Sequence, residues 1–286
     1  MGACSGQLIF TATGFVILCQ FLSWFMEYAK AKKAAFKALN QFFDHVYVIT
    51  IQKADDRRAK LLPLLEGLSY EFFYGMDKNI LQDDNAFLNE VYNDAKSRRL
   101  NRYGNAMTIG HVACSFSHCM VYKDMLDRGF DRVLILEDDV VPMETAIHHI
   151  YDVLQSLPEN WEILYWGYDR HDKWNMASRF KQGLYHLTSA LGLLKWNHTM
   201  IRNLHARPYT KYLHKAGSHD LSHAYGISKS GAKKMLEIQT PVVFNADTAM
   251  AYGIANGWIK GFISKPIVFK QEFEVSPHQY VSMIKD

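Results

Sequence analysis

Arg132-Val-Leu-Ile-Leu-Glu-Asp-Asp-Val-Val-Pro142 sets five residues that favour a buried strand directly against three consecutive carboxylates. Adjacent acids repel one another and cannot be buried unpaired. At the carboxyl end of a central strand they would face the crevice where open α/β sheets bind ligands. A hard divalent cation would offset the repulsion, with carboxylate oxygens as its ligands and substrate phosphates completing the shell. The alternative is a solvated turn or helix start, because Asp is a good N-cap.

Outward from that stretch, strand-like and helical segments alternate. Residues 45–51 are β-branched and apolar, 56–66 read as a helix and 70–74 as a short strand. After a polar stretch over 77–105, residues 112–127 read as a helix, 132–136 as a buried strand, 146–157 as a helix and 161–166 as a strand. Strands separated by helices predict an α/β domain over 45–286 with a mostly parallel central sheet flanked by helices. Residues 170–222 differ, being rich in His, Lys, Tyr and Trp with weak periodicity. Seven of the thirteen histidines fall between His171 and His223, but their spacing does not suit zinc. The segment reads instead as a surface excursion over the mouth of the sheet, where an acceptor would be held.

The chain carries 32 basic and 29 acidic side chains, and that small excess lies before residue 41, in Lys30, Lys32, Lys33 and Lys37 against Glu27. A body neutral overall argues against general nucleic-acid binding. Four cysteines, at 4, 19, 114 and 119, suggest neither a disulfide framework nor a zinc site. Residues 8–26 carry no charge and predict a membrane anchor within 1–27, followed by a juxtamembrane helix over 28–44. The lysines after the anchor predict a single-pass protein with its body on the cytoplasmic side.

Several blocks in order along the chain resemble glycosyltransferase family 25, the lipopolysaccharide and collagen galactosyltransferase-type family. They are Ile49-Thr-Ile-Gln-Lys-Ala-Asp-Asp-Arg-Arg58, Phe73-Tyr-Gly-Met-Asp-Lys78, Gly110-His-Val-Ala-Cys-Ser-Phe-Ser-His118, Leu134–Asp139 and Ala224-Tyr-Gly-Ile-Ser-Lys-Ser-Gly-Ala-Lys-Lys-Met-Leu236, with a later block from Pro241 to Asp247. Thr50, Gln52, His111 and Ala113 depart from the residues usual at those places. The resemblance implies a GT-A-like single domain, a nucleotide-sugar donor, UDP-linked, and inversion at the anomeric carbon. It also implies a hexose, galactose foremost, moved to a glycan or glycolipid acceptor such as lipopolysaccharide.

Departure of a diphosphate needs positive charge from a metal or from Arg and Lys. The expected metal ligands, for Mn²⁺ or Mg²⁺, are Asp139 and Glu137, with Asp138 alongside. Thr50, Arg57, Arg58, Asp77, Ser117, His118, Glu137 and Asp138 would contact the donor, although Arg57 and Arg58 could instead pair with Asp55 or Asp56, and His118 could be a satisfied core histidine. An inverting displacement needs a general base on the face opposite the diphosphate. Asp247 is the leading candidate, with Asp220 beside His223 as its rival; either acid could be a helix cap. Trp166 and Tyr168, after a strand end, could stack on a sugar ring. A different class, a non-catalytic sugar-nucleotide-binding or scaffold protein keeping the fold, is motivated by the departures at 50, 52, 111 and 113.

Overall fold

His45–Thr50 and Arg132–Glu137 form adjacent parallel strands, β1 and β3, in a computed structural model that describes residues 12–101, 104–172, 174–276 and 278. Around them lies an eight-stranded sheet in the order β2-β1-β3-β8-β5-β9-β7-β6. Here β2 is Glu71–Tyr74, β5 Ile163–Tyr165, β6 Arg207–Pro208, β7 Leu213–Lys215, β8 Ala224–Ser228 and β9 Gly261–Ser264. A separate antiparallel pair joins β4 (Val140–Pro142) to β10 (Phe269–Gln271).

Alternation within β3 explains the layering. Leu134 and Leu136 point into one apolar cluster with Val46, Val48, Trp161 and Leu164. Val133 and Ile135 point into the other with Tyr47, Val121, Met125 and Tyr225. Each fully buried aliphatic side chain contributes about 1.5–3 kcal/mol, so a strand buried on both faces is anchored firmly. The first face is covered by α1 (Ala12–Phe42) and α7 (Ile150–Gln155), the second by α6 (Ile109–Asp127), α10 (Lys229–Gln239) and α11 (Ala246–Ala255).

Two expectations about this architecture need correction. The sheet is mixed: four of its seven neighbouring strand pairs among the described residues run antiparallel. Hydropathy marks a strand but not its direction, and β8 inserts between β3 and β5 against both. That reversal brings the amino end of β8 beside the carboxyl end of β3, where Leu136 pairs with Ala224 and the Glu137 N–H donates to the His223 carbonyl.

The second correction concerns the membrane helix. Residues 8–11 of the expected span lie outside the described residues, and the rest opens α1, which runs unbroken to Phe42. Among the described residues no helix is long and apolar enough to cross a membrane. The single-pass topology, and the cytoplasmic orientation drawn from it, therefore lose their support. The expected juxtamembrane stretch belongs to the domain instead: Ala35, Phe36, Leu39 and Phe43 are buried in the first cluster, and Lys32 donates to the Pro63 carbonyl.

The polar stretch after β2 holds three short helices, α3 (Lys78–Asp83), α4 (Asn85–Val91) and α5 (Asp94–Leu100). Each is capped by a side chain that accepts a backbone N–H, from Asp77, Asp84 and Asn93. The remaining helices are α2 (Asp55–Leu64), α8 (Met176–Ala190), α9 (His198–Arg202) and α12 (Glu272–Val275).

Candidate active site

The carboxyl ends of β1 and β3 and the first half of α6 enclose a cleft of about 740 Å³. Thr50, Arg57, Asp77, Ser117, His118, Glu137, Asp138 and Asp139 all line it, together with Cys114 and Gln271. Glu137 is the last residue of β3, and Asp138 and Asp139 form the turn into β4. The acidic triplet is thus presented to a concavity by a rigid strand.

The three acids have different partners. Asp138 accepts from the Thr50 hydroxyl at 2.7 Å and from Arg57 Nη1 at 2.8 Å. Asp139 lies 3.7 Å from the same Arg57 nitrogen. Glu137 Oε1 accepts from Ser222 at 3.1 Å and stands 3.5 Å from His118 Nε2. On its other side, His118 Nδ1 meets the Tyr225 hydroxyl at 2.8 Å, which meets Tyr122 at 2.6 Å. His118 is therefore a buried bridge between a tyrosine pair and the acid cluster.

Burial is the largest influence on Glu137 and Asp139, and it raises both carboxyls. For Glu137, His118, then His223 and Ser222, outweigh it and leave the carboxyl below its usual range. Asp139 lacks that compensation. Burial, then the Glu137 charge, push it up to about 7 against the pull of Arg57 and Gln271. Such a displaced carboxyl in a cleft marks a functional-site candidate.

A divalent cation fits this arrangement. Glu137 Oε2 and Asp139 Oδ1 lie 3.5 and 3.4 Å from the same Gln271 amide nitrogen. Both contacts are long for hydrogen bonds, so two carboxylate oxygens converge on a loosely held point, a donor set suited to Mg²⁺ or Mn²⁺. A softer set overlaps it: Cys114, His118 and Glu137 each offer a ligand atom, all within 4.8 Å of one another. The His118 Nε2 in that set is buried and makes no hydrogen bond. Burial, then the charges of Glu137, Asp247, Asp139 and Asp138, push the Cys114 thiol well up.

Arg57 points into the cleft rather than toward Asp55 or Asp56. Arg58 clamps the turn after β1, donating to the Ile51 and Gln52 carbonyls and pairing with Asp55. Asp77 caps α3 and pairs with Lys53 at 2.9 Å. Ser117 donates to the Ala113 carbonyl and accepts from the Met76 N–H. Gly75 passes so close to Ser117 that a Cβ there would overlap its hydroxyl. His223 is buried behind Glu137 with Nε2 on the Phe269 carbonyl at 3.2 Å; burial lowers its pKa. Trp166 and Tyr168 are also buried, so neither presents a face for a sugar ring.

A second cleft, of about 1500 Å³, lies beyond the segment 220–222 and is lined by Arg170, His171, Trp196, Asp220, Thr248 and Tyr252 among others. Asp220 pairs with Arg170 at 3.0 Å, and burial, then the charge of Asp247, raise its carboxyl. Asp247, in the first turn of α11, accepts from the Leu221 N–H at 3.2 Å and the Thr248 N–H at 2.6 Å. The segment thus touches both clefts: Ser222 holds Glu137, Leu221 holds Asp247, and Asp220 faces the second cavity. Leu221, Arg170 and His171 all have positive φ, of 76°, 59° and 52°, and Asp169 bridges to Asp220. Non-glycine residues in this region store of order 1–3 kcal/mol each, and such strain gathers at functional sites.

Sequence reasoning missed Cys114 and Gln271. Cys114 lies four residues before His118, a spacing that places both on one face of a helix. Gln271 carried no signal, standing 132 residues from its partner Asp139.

Comparison with known proteins agrees with this geometry. Residues 43–250 match the family model described as glycosyltransferase family 25 (LPS biosynthesis protein). A glycosyltransferase 25 family member of Aedes aegypti is 28% identical over 149 residues, covering 47% of this chain and 23% of the relative. Procollagen galactosyltransferase 2 of Homo sapiens is 25% identical over 138 residues, covering 45% and 21%. The human protein named inactive glycosyltransferase 25 family member 3 is 26% identical over 135 residues, covering 44% and 22%. The chain spans less than a quarter of the length of these curated relatives. With more than two thirds of its residues inside the family model and the acidic triplet lining a cleft, the chain belongs to glycosyltransferase family 25.

Proposed function

We propose that this chain is an inverting glycosyltransferase that moves a hexose, galactose foremost, from a nucleotide-sugar, UDP-linked, to a hydroxyl of a glycan or glycolipid acceptor. The observation that carries the reading is the convergence of Glu137 and Asp139 beside Arg57 in the cleft at the end of β3. Glu137 and Asp139 would hold a divalent cation, whose chemistry when bound is neutralisation of the diphosphate's negative charge. Arg57 adds a fixed positive charge on the same wall, and Thr50 orients Asp138. His118, pinned by Tyr225, keeps Glu137 ionised.

The acceptor enters by the second cleft, and Asp247 takes the proton from its attacking hydroxyl. Two features support that role. The segment 221–222 ties Asp247, through the Leu221 N–H, to Glu137, through the Ser222 hydroxyl. The Leu221 and Thr248 N–H groups also fix both Asp247 oxygens in place. Asp220, paired with Arg170, shapes the acceptor side.

The test is turnover of UDP-hexoses with candidate glycan and glycolipid acceptors in Mn²⁺ or Mg²⁺. Asp139→Ala removes metal-dependent turnover. Asp247→Asn lowers kcat about 100-fold or more while the donor KM holds, and Asp220→Asn has the smaller effect on kcat. Full activity in Asp139→Ala overturns the cation assignment, and full activity in Asp247→Asn overturns the base. UDP binding without turnover on any acceptor favours the non-catalytic reading, to which the relative named inactive lends weight.

A further inference from the structure

Helix α8 is built inside out. Met176, Phe180, Leu184, Leu187 and Leu191, the last just past its end, fall within one narrow stripe at helical spacing. All five face solvent, from 51% exposed at Leu184 to 80% at Phe180, and Leu193 beyond them is 76% exposed. The opposite face is the one that meets the protein, and it does so with polar groups and one aromatic. Gln182 donates to the Ile201 and Arg202 carbonyls, His186 meets His198, Ser189 donates to the Trp196 carbonyl, and the Tyr185 ring packs on Trp196. A helix with no buried residue and its apolar stripe outward leaves a contiguous hydrophobic patch, which marks an interaction site.

Charge identifies the occupant. Residues 173–219 contain eight Lys and Arg and no Asp or Glu, leaving 24 basic and 29 acidic side chains for the rest of the chain. Arg179 and Lys181 flank the stripe on α8, both exposed, where long basic side chains can reach past an apolar contact to negative headgroups. An outward apolar stripe with a basic residue on each side suits a helix that lies in the plane of a lipid interface, and Lys and Arg held near an anionic leaflet are attracted to it.

We propose that α8 docks this protein peripherally on an anionic lipid surface. Its apolar stripe enters the headgroup–acyl boundary and Arg179 and Lys181 contact lipid phosphates. This contact is independent of which sugar is transferred. The surrounding excursion also supplies Trp196, Asn197 and Met200 to the second cleft, so docking would bring that cavity near the lipid.

The test is flotation of the full chain with vesicles of phosphatidylcholine alone or with about 30% phosphatidylglycerol, the range in which leaflet charge is effective. The expected result is binding to the anionic vesicles that weakens in high salt and falls about tenfold or more in Phe180→Glu/Leu184→Glu. Both side chains are exposed, so the melting temperature of the variant stays that of the parent. Arg179→Glu/Lys181→Glu, which leaves the stripe intact, removes the preference for anionic over neutral vesicles. Undiminished binding in Phe180→Glu/Leu184→Glu overturns the proposal, because the contact then lies elsewhere in the chain. Failure of the parent protein to float overturns it as well, and a concentration-dependent dimer that Phe180→Glu/Leu184→Glu dissociates would identify a second copy as the occupant instead.

Discussion

Replacing Asp139 by Asn should stabilise the cation-free protein, and the gain should depend on pH. Asp139 is buried, and burial with the adjacent Glu137 charge moves its pKa from the ordinary 3.8 to about 7. The native state therefore keeps a proton that the unfolded chain releases near pH 4. Between those values the native state binds more protons, so stability falls as pH rises, and the full penalty is present above pH 7. The displacement corresponds to about 4 kcal/mol once the group is ionised, of which about 2–3 kcal/mol develops between pH 5 and pH 8. Asn keeps the shape and has no proton to lose. In EDTA, Asp139→Asn should therefore melt several degrees above the parent at pH 8, about 2–4 °C per kcal/mol for a chain of this size. The gap should shrink sharply at pH 5. Mn²⁺ should raise the parent's melting temperature at pH 8 and leave the variant's unchanged. An equal gap at pH 5 and pH 8, or a variant less stable than the parent at pH 8, would refute the account of Asp139 as an uncompensated buried acid.

Two further outcomes test the scaffold. Phe36→Ala, on the helix expected to be juxtamembrane, should lower stability by about 3–5 kcal/mol in urea denaturation, because Phe36 is fully buried; an unchanged midpoint would show that the helix does not belong to the core. Gly167→Ala should lower stability by about 1–3 kcal/mol, since its Cβ would run into the His223 ring and the Phe269 carbonyl, and a neutral thermal melt would contradict that close approach.

The parts of this fold legible in the sequence were those decided by local pattern. β1 and β3 announced themselves through β-branched, apolar residues, and the three acids after Leu136 marked the end of a strand facing a cleft. Strand direction was not legible, because β8 owes its antiparallel place to the route of residues 170–222 rather than to its own side chains. The three short helices after β2 were hidden because each rests on one capping residue in a polar stretch, with too few apolar positions to show a period. Residues 8–26 read as a bilayer span because they carry no charge, whereas among the described residues no helix is long and apolar enough to cross a membrane. In the site, Arg57 and Arg58 are chemically alike and adjacent, yet one faces the acids and the other ties down a turn. Only the path of the backbone after Thr50 separates them.

The reach of α1 and β9 bears on how the protein can be divided. Similarity to the family stops at residues 43 and 250, but mechanical integrity does not. Trimming to those limits would strip Phe36 and Leu39 from one flank, excise β9 from its place between β5 and β7, and delete Gln271 from beside the acids. A fragment so cut would be expected to aggregate rather than report on transfer, so any dissection should respect the packing and not the homology.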